Sequence, residues 1–226
     1  MTSQYLITGT DTEIGKTVVS AGLLRRAAEQ GFRCVGLKPV AAGCRAGVDG
    51  LRNDDALALI NAANVTLDYH CVNPIALEPP ISPHIALARA GQQQLNMQAI
   101  HDSLEQARAK ANWILVEGFG GWLAPLDARQ TFADLAVALQ LPVILVVGLR
   151  LGCLNHALLS ARAILADGCE LAGWVGNCID PEMLALEDNI QRLHECIPAP
   201  CLGIVSHGNT TAEAVAAQLS LPIRPD

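Results

Sequence analysis

Short apolar runs alternate with longer amphipathic segments along this chain. Six runs are apolar at nearly every position, as expected for strands buried on both faces of a sheet: 4–8, 33–38, 113–117, 142–147, 171–178 and 202–205. Eight further segments have helical patterns: 16–30, 54–63, 83–90, 97–110, 132–139, 154–167, 181–195 and 210–219. The alternation predicts an α/β fold, a doubly wound and mostly parallel sheet with helices on both faces.

The pattern contains no repeat, linker or low-complexity tract, so a single domain over residues 1–226 is predicted. Segment 39–82 is rich in glycine, proline and asparagine, and we expect it to build part of a site rather than the core. In such sheets, ligands bind at the carboxyl ends of the strands.

Composition narrows the function classes. The formal net charge is -7, which argues against nucleic acid or an anionic membrane as the main partner. Eight cysteines without a C-x-x-C pair indicate reduced thiols and make structural zinc unexpected. The start MTSQY lacks a secretion signal, and the apolar stretch 141–149 is too short to span a bilayer. We therefore expect a soluble, cytoplasmic protein.

The first apolar run is followed by GTDTEIGKT, residues 9–17, which resembles a phosphate-binding loop. The usual pattern has four residues between its glycines, and here five separate Gly9 from Gly15. For identifying a phosphate-binding loop, its position between a strand and a helix counts for more than the extra residue counts against it. Backbone N–H groups would face an anion, Lys16 would add a positive charge, and the Thr17 hydroxyl could bind Mg²⁺.

Charged residues follow two other predicted strands. Glu117 ends the run WILVE and could hold the metal ion that a nucleotide-binding loop needs. Asp54 and Asp55 offer a second carboxylate, although one of them is expected only to complement the helix dipole. Lys38 ends a buried strand, where an unpaired charge is costly, and a phosphate would be a suitable counter-charge.

A later segment, GNCID, is similar to the guanine-reading N-K-x-D motif of GTPases. Asn177 and Asp180 match the motif, but Cys178 occupies the lysine position. Asn177 could bind a base through its amide, and the identity of the base is left open.

Together these motifs resemble the dethiobiotin synthetases, the enzymes that close a cyclic urea on a vicinal diamine in the biotin pathway. The segments that carry the resemblance occur in the family's order: GTDTEIGKT, GLKPVAAG, LRNDDALAL, VNP, SPH, VEGFGG, LPVILVVGLRLGCLNHA and GWVGN. The resemblance implies a homodimer of the P-loop NTPase type, with Mg²⁺, and with ATP, CO₂ and 7,8-diaminononanoate as substrates. The implied reaction phosphorylates a carbamate and then closes the ring, releasing ADP and phosphate.

The resemblance also implies site residues. Thr17, Asp55 and Glu117 would hold Mg²⁺, while Lys16 and Lys38 would be catalytic. The implied nucleotide contacts are Glu13, Ile14, Gly15, Lys16, Thr17, Val18, Asp55, Glu117, Gly118, Phe119 and Gly120, with Asn177, Cys178, Ser206, His207 and Gly208 near the base. The implied substrate contacts are Thr12, Lys38, Ala42, Gly152, Cys153 and Asn155.

The last three contacts also have a physical rationale. The substrate ends in a carboxylate and the chain is net negative, so a separate anion site is required. Free backbone N–H groups at a helix starting near Leu154, with the Asn155 amide, could supply it. The alternative is an ordinary helix start beside Arg150. The resemblance implies that this helix end reaches the site of the other subunit.

Three positions depart from the family's pattern: Ala42 replaces a frequent hydroxyl residue, Phe119 a frequent alanine, and Ser206–Gly208 lacks a proline. Two other classes share parts of the pattern. Glutamine-dependent synthetases of the cobyrinate type would need a further glutaminase domain. Partitioning-type ATPases carry a second lysine inside the loop, and residues 10–14 contain none.

Overall fold

The computed structural model describes residues 2–92 and 94–222. Its strands, in chain order, are β1 (Ser3–Gly9), β2 (Cys34–Leu37), β3 (Val40–Ala41), β4 (Arg45–Gly47), β5 (Gly50–Arg52), β6 (Ile75–Ala76), β7 (Trp113–Gly121), β8 (Val143–Leu149), β9 (Leu171–Cys178) and β10 (Cys201–Val205). Its helices are α1 (Lys16–Glu29), α2 (Asp54–Ala62), α3 (Tyr69–Val72), α4 (Pro83–Arg89), α5 (Met97–Lys110), α6 (Phe132–Leu139), α7 (Cys153–Ala166), α8 (Leu186–Cys196) and α9 (Ala212–Ala216).

The six predicted strands form one parallel sheet in the order β10-β9-β8-β1-β7-β2. Successive side chains of β1 point to opposite faces: Leu6 packs into one core, and Tyr5 and Ile7 into the other. The first core contains residues of α5, α6, α7 and α8, and the second contains residues of α1 and α9. The doubly wound α/β prediction is confirmed.

The predicted helices are present, with two corrections to their bounds. α8 begins at Leu186 rather than 181, because turns occupy the preceding residues and Ala185 has a left-handed backbone. α9 is shorter than 210–219, because Thr211 caps it and the chain turns after Ala217. All eight cysteines are free thiols. Within the described ranges, no helix is long and apolar enough to cross a membrane.

Segment 39–82 contains short elements rather than unstructured loop. β3 pairs with β6 in parallel, and β4 and β5 form a hairpin. α2 and α3 lie between β5 and β6. The carbonyl of Val72, in α3, accepts from the amide of Lys38, so the segment contacts the carboxyl end of β2. The next section shows which side chains this segment places at the site.

Candidate active site

The phosphate-binding loop connects β1 to α1 and takes two left-handed residues. Glu13 has a φ of 58° and Gly15 a φ of 82°. A Cβ at Gly15 would lie 2.2 Å from Nδ2 of Asn177, so both the backbone and the space require glycine there. That Nδ2 donates a 2.7 Å hydrogen bond to the carbonyl of Ile14. The end of β9 therefore anchors the loop at Ile14 and packs against Gly15.

Lys16 lies across the loop. Its Nζ donates to the carbonyl of Asp11 at 2.7 Å, and the Asp11 carboxylate forms a 2.5 Å ion pair with Arg150. Burial, and then repulsion from Lys38, lower the pKa of Lys16 to about 8. A bound phosphate would supply the counter-charge that this lysine lacks.

Lys38 leaves the end of β2 and is buried beneath the loop. Its Nζ donates to Oε1 of Glu117 at 2.7 Å and to the carbonyl of Gly118 at 2.9 Å, and lies 3.0 Å from Oδ2 of Asp55. Burial alone lowers the pKa of Lys38, but the two carboxylates outweigh it and raise that pKa. Lys38 is therefore a permanently charged ammonium.

Glu117 and Asp55 meet at Thr17. The Thr17 hydroxyl donates to Oε1 of Glu117 at 2.8 Å. Burial raises the pKa of the Asp55 carboxyl, but Lys38 and the Thr17 hydroxyl lower it overall. Asp54 instead points away, is exposed, and pairs with Arg45. The two neighbouring aspartates therefore have different partners, Lys38 for Asp55 and Arg45 for Asp54.

The second carboxylate oxygen of Glu117 bears on whether the site can hold a metal ion. Oε2 is buried and has no hydrogen-bond partner among the described residues. An orphaned carboxylate oxygen is costly unless something binds it. No cluster of three or more His, Cys, Asp or Glu exists in the part of the chain that the structure describes. Two carboxylates and a hydroxyl are nevertheless a suitable partial set for Mg²⁺, which takes its remaining ligands from phosphates and water.

An irregularity in β7 shapes the edge beside Glu117. The register of β1 and β7 passes from Ile7 and Glu117 to Gly9 and Gly121, so β7 has two extra residues at this point. A Cβ at Gly118 would lie 2.3 Å from the ring of Phe132, which explains the glycine. Phe119, the departure noted above, packs edge-on against the same ring at 6.1 Å.

Lys38, Asp55 and Glu117 form a charged cluster. A cavity of about 660 Å³ opens beside it. Residues 80–83 form one side of its wall. The wall also includes seven of the implied contacts: Thr12, Glu13, Lys38, Ala42, Asp55, Phe119 and Gly120. Lys38 and Asp55 belong both to the wall and to the charged cluster. The phosphate loop and the cavity therefore share one ammonium group.

The implied base-binding residues lie together at the ends of β9 and β10. Asn177 pairs in register with Val205, and a ring nitrogen of His207 lies 3.1 Å from the carbonyl of Cys178. Both the amide and the hydroxyl of Ser206 donate to Gln218. Asp180, which matched the GTPase motif, accepts from the backbone of Glu182 in a turn.

Gly152, Cys153 and Asn155 are not among the residues that line the cavity. They begin α7, where Gly152 has a φ of 95° and no side chain caps the helix. A single chain thus leaves this helix start apart from Lys38.

Sequence reasoning missed four residues that support the site. Asp11 orients Lys16, while Tyr69 and Asn73 lie behind Lys38, and Arg150 pairs with the loop. Asp11, Asn73 and Arg150 stand in the motifs GTDTEIGKT, VNP and LPVILVVGLRLGCLNHA, whereas Tyr69 lies in none of the quoted motifs.

Comparison with known proteins identifies the family. The family described as an AAA domain matches residues 3–214. An ATP-dependent dethiobiotin synthetase BioD from Pseudomonas paraeruginosa (strain DSM 24068 / PA7) is 52% identical over 219 residues, covering 96% of both chains. The chain belongs to the dethiobiotin synthetase family. It is accordingly an ATP-dependent ligase that forms a ureido ring. A synthetase of the same name from Cellvibrio japonicus (strain Ueda107) is 49% identical and covers 96% of this chain and 95% of its own.

Solved structures show the fold alone. MinD from Aquifex aeolicus, in its complex with MinC, superposes with a TM-score of 0.55 at 15% identity, covering 95% of this chain and 86% of the other. MinD from Pyrococcus horikoshii OT3, complexed with Mg-ADP, also gives 0.55, at 15% identity over 96% of this chain and 86% of its own. The P-loop NTPase type of fold is thereby confirmed.

Proposed function

We propose that this chain converts 7,8-diaminononanoate, CO₂ and ATP into dethiobiotin, ADP and phosphate. One amine nitrogen bonds to the carbon of CO₂ and loses a proton, giving a carbamate. A carbamate oxygen takes the γ-phosphoryl group of ATP, and ADP leaves. The second amine then attacks the carbamate carbon, and phosphate departs as the ring closes.

One observation carries the proposal: the Lys38 ammonium lies where the phosphate loop meets the cavity. It is within 3.0 Å of both Glu117 and Asp55 and also lines the cavity wall. From this position it can stabilise negative charge on a carbamate and on the transferring phosphoryl group. Electrostatic stabilisation of this kind acts in the transition state and so raises kcat.

The nucleotide would lie along the loop. Backbone N–H groups of Glu13–Val18 and the N-terminus of α1 would bind the phosphates. Lys16 would turn from the Asp11 carbonyl to the β- and γ-phosphates. Asn177, Cys178 and Ser206–Gly208 would border the base.

Thr17, Asp55 and Glu117 would hold Mg²⁺. The orphaned Oε2 of Glu117 supports this assignment, since a cation would satisfy it. When bound, the ion supplies positive charge to the phosphate oxygens.

We further propose that the enzyme is a homodimer whose sites combine both chains. The cavity suits an aliphatic diamine near Thr12, Lys38 and Ala42. The substrate carboxylate would bind the start of α7 of the second subunit, through its Gly152, Cys153 and Asn155. The separation of that helix start from the cavity within one chain supports this arrangement.

The test measures phosphate release with the diamine, ATP, Mg²⁺ and bicarbonate, and again with each one omitted. We expect release to depend on all four components and to match dethiobiotin formation one to one. ATP hydrolysis that is unaffected by the diamine would contradict the proposal.

Lys38→Met provides the sharper test. We expect kcat to fall about 10²–10³-fold with little change in KM for ATP, taking loss of an oxyanion donor as the guide. Lys110→Met, which removes an exposed lysine at the end of α5, is the matched control and should keep wild-type kcat. A raised KM with normal kcat would make Lys38 a binding residue only.

A further inference from the structure

The backbone of Lys38 is anchored by a segment that the proposed chemistry does not use. β2 is the last strand in the sheet order, and its pairing with β7 reaches Leu37, one residue before Lys38. On the other side, the Lys38 amide donates to the carbonyl of Val72 at 2.8 Å. Its carbonyl accepts from Nδ2 of Asn73 at 2.7 Å. The VNP motif therefore holds Lys38 where the main sheet no longer does.

Asn73 is buried and connects this anchor to α2. Its Oδ1 accepts from the hydroxyl of Tyr69 at 3.2 Å, and the same hydroxyl accepts from the backbone amide of Asn53 at 2.7 Å. Asn53 caps α2, which carries Asp55 in its first turn. Asp55 in turn pairs with the ammonium of Lys38. These hydrogen bonds, together with the first turn of α2 and the ion pair of Asp55, connect the backbone of Lys38 to its own ammonium group.

We propose that Asn73 and Tyr69 are positioning residues for catalysis, which set the distance between the Lys38 backbone and Asp55. The inference rests on the proposed catalytic role of Lys38. A lysine side chain is long and flexible, and its three donors are here divided among Glu117, Asp55 and the carbonyl of Gly118. A displacement of about 1 Å in such an arrangement can lower a rate roughly 10²-fold.

The hydroxyl of Tyr69 is the link between the two anchors. Tyr69→Phe deletes this one oxygen and leaves the amide of Asn53 and Oδ1 of Asn73 without their partner. The ring contact with the Arg52 guanidinium, 4.1 Å from the ring centre, is retained. This variant therefore tests the link with little change in packing.

Asn64 offers a matched control at the opposite end of the same strand. Its Oδ1 accepts from the amide of Cys34 at 2.8 Å, and its Nδ2 donates to the carbonyl of Phe32 at 2.8 Å. Asn64 thus holds the amino end of β2 by the same kinds of bond that Asn73 uses at the carboxyl end. Asn64 is exposed and Asn73 is buried, so a purely structural role predicts that any loss of kcat follows the loss of Tm in both variants.

The experiment compares Tyr69→Phe, Asn73→Ala and Asn64→Ala by kcat, KM for ATP and Tm. We expect the first two to lower kcat about 10- to 100-fold with KM for ATP within about twofold. Asn64→Ala should lower Tm while kcat stays within about twofold of wild type. Tyr69→Phe decides the matter if Asn73→Ala does not fold.

Two results would overturn the inference: wild-type kcat in Tyr69→Phe, or an equal loss of kcat in Asn64→Ala. Lys38→Met, measured alongside, separates this outcome from failure of the proposed function. If Lys38→Met is inactive while Tyr69→Phe is normal, the positioning role alone is wrong. If Lys38→Met is itself active, the catalytic assignment fails first.

Discussion

At the scale of single residues, the site contains two buried lysines with opposite behaviour. Burial lowers the pKa of both lysines, but Lys38 is paired with two carboxylates, which raise its pKa overall. Lys16 donates to a carbonyl, and burial lowers its pKa to about 8. Repulsion between the two ammonium groups contributes to the difference. Lys16 is therefore the group whose protonation depends on whether a phosphate is present.

This difference predicts proton uptake on nucleotide binding. Above pH 8 the free protein has lost the Lys16 proton, and a bound phosphate favours its return, so affinity for ADP should fall as pH rises. The linkage gives about tenfold weaker binding at pH 9 than at pH 7. Calorimetry in two buffers of different ionisation enthalpy at pH 8.5 would measure the uptake.

Lys16→Met is the control for this titration. Its binding should be weaker at every pH but should change little between pH 7.5 and pH 9. The terminal phosphate, with a pKa of about 6, does not titrate in that window. Unchanged pH dependence in the variant would assign the proton to another group.

Glu117→Gln tests the metal assignment at the same scale. The substitution keeps the hydrogen bond to Thr17 possible but removes the charge that faces the orphaned position. We expect kcat to fall about 10²-fold or more, with Kd for ADP in the absence of Mg²⁺ within a few-fold of wild type. Glu170→Gln, exposed ahead of β9, should change neither quantity. Near-normal turnover in Glu117→Gln would contradict the assignment.

At the scale of elements, close packing of β7 on α6 positions the edge that carries Glu117. Gly118 follows Glu117 and offers its carbonyl to Lys38, while the ring of Phe132 fills the space where a side chain would lie. α6 is held by a capping box between Thr131 and Asp134, so its first residue, Phe132, cannot easily move. The glycine is thus required by a neighbouring helix.

The effect of Gly118→Ala on the free energy of unfolding should change sign when Phe132 is replaced by a smaller side chain. In the native protein we expect the substitution to lower the free energy of unfolding by about 1–3 kcal/mol, because the added methyl meets the ring. In a Phe132→Leu background the clashing ring atoms are gone, and alanine should instead stabilise the strand by about 0.5–1 kcal/mol. Urea denaturation of the native protein, the two single variants and the double variant measures the effect of Gly118→Ala in each background. Destabilisation of equal size in both backgrounds would locate the strain elsewhere.

At the scale of the whole molecule, the residues that begin α7 do not line the cavity that Lys38 and Asp55 border. The cavity is lined by the phosphate loop, β7 and segment 39–82, and not by the start of α7. Because the net charge is -7, we expect a dedicated site for the carboxylate of the proposed substrate. A second chain is the source that we propose for it.

Mixed dimers test that proposal. Lys38→Met and Asn155→Asp should each be impaired, the second because it places a negative charge against the substrate carboxylate. A dimer with one variant of each kind would retain one site with both native residues. Co-refolded mixtures should therefore exceed the mean activity of the two parents. Mixtures that never do so would contradict the shared site.

Much of this architecture was predictable from sequence. Apolar runs and helical periodicity predicted the six central strands and their helices, because the buried positions of an element repeat with the period of that element. The phosphate loop was also identifiable, because its function depends on consecutive backbone groups. Lys38 was singled out because it follows a strand end, and strand ends in a parallel sheet meet at one edge. Glu117 was predicted to end its strand, but β7 continues to Gly121, and Glu117 lies where its regular register with β1 stops.

What the tertiary structure alone decided concerns pairs of residues far apart in sequence. It selected Asp55 rather than Asp54 for Lys38, left Oε2 of Glu117 unpaired, and placed Tyr69 and Asn73 behind the lysine. Local periodicity contains no information on such contacts, because they depend on how separate elements pack. The sequence determined the elements and the phosphate loop; the packing determined which charges meet.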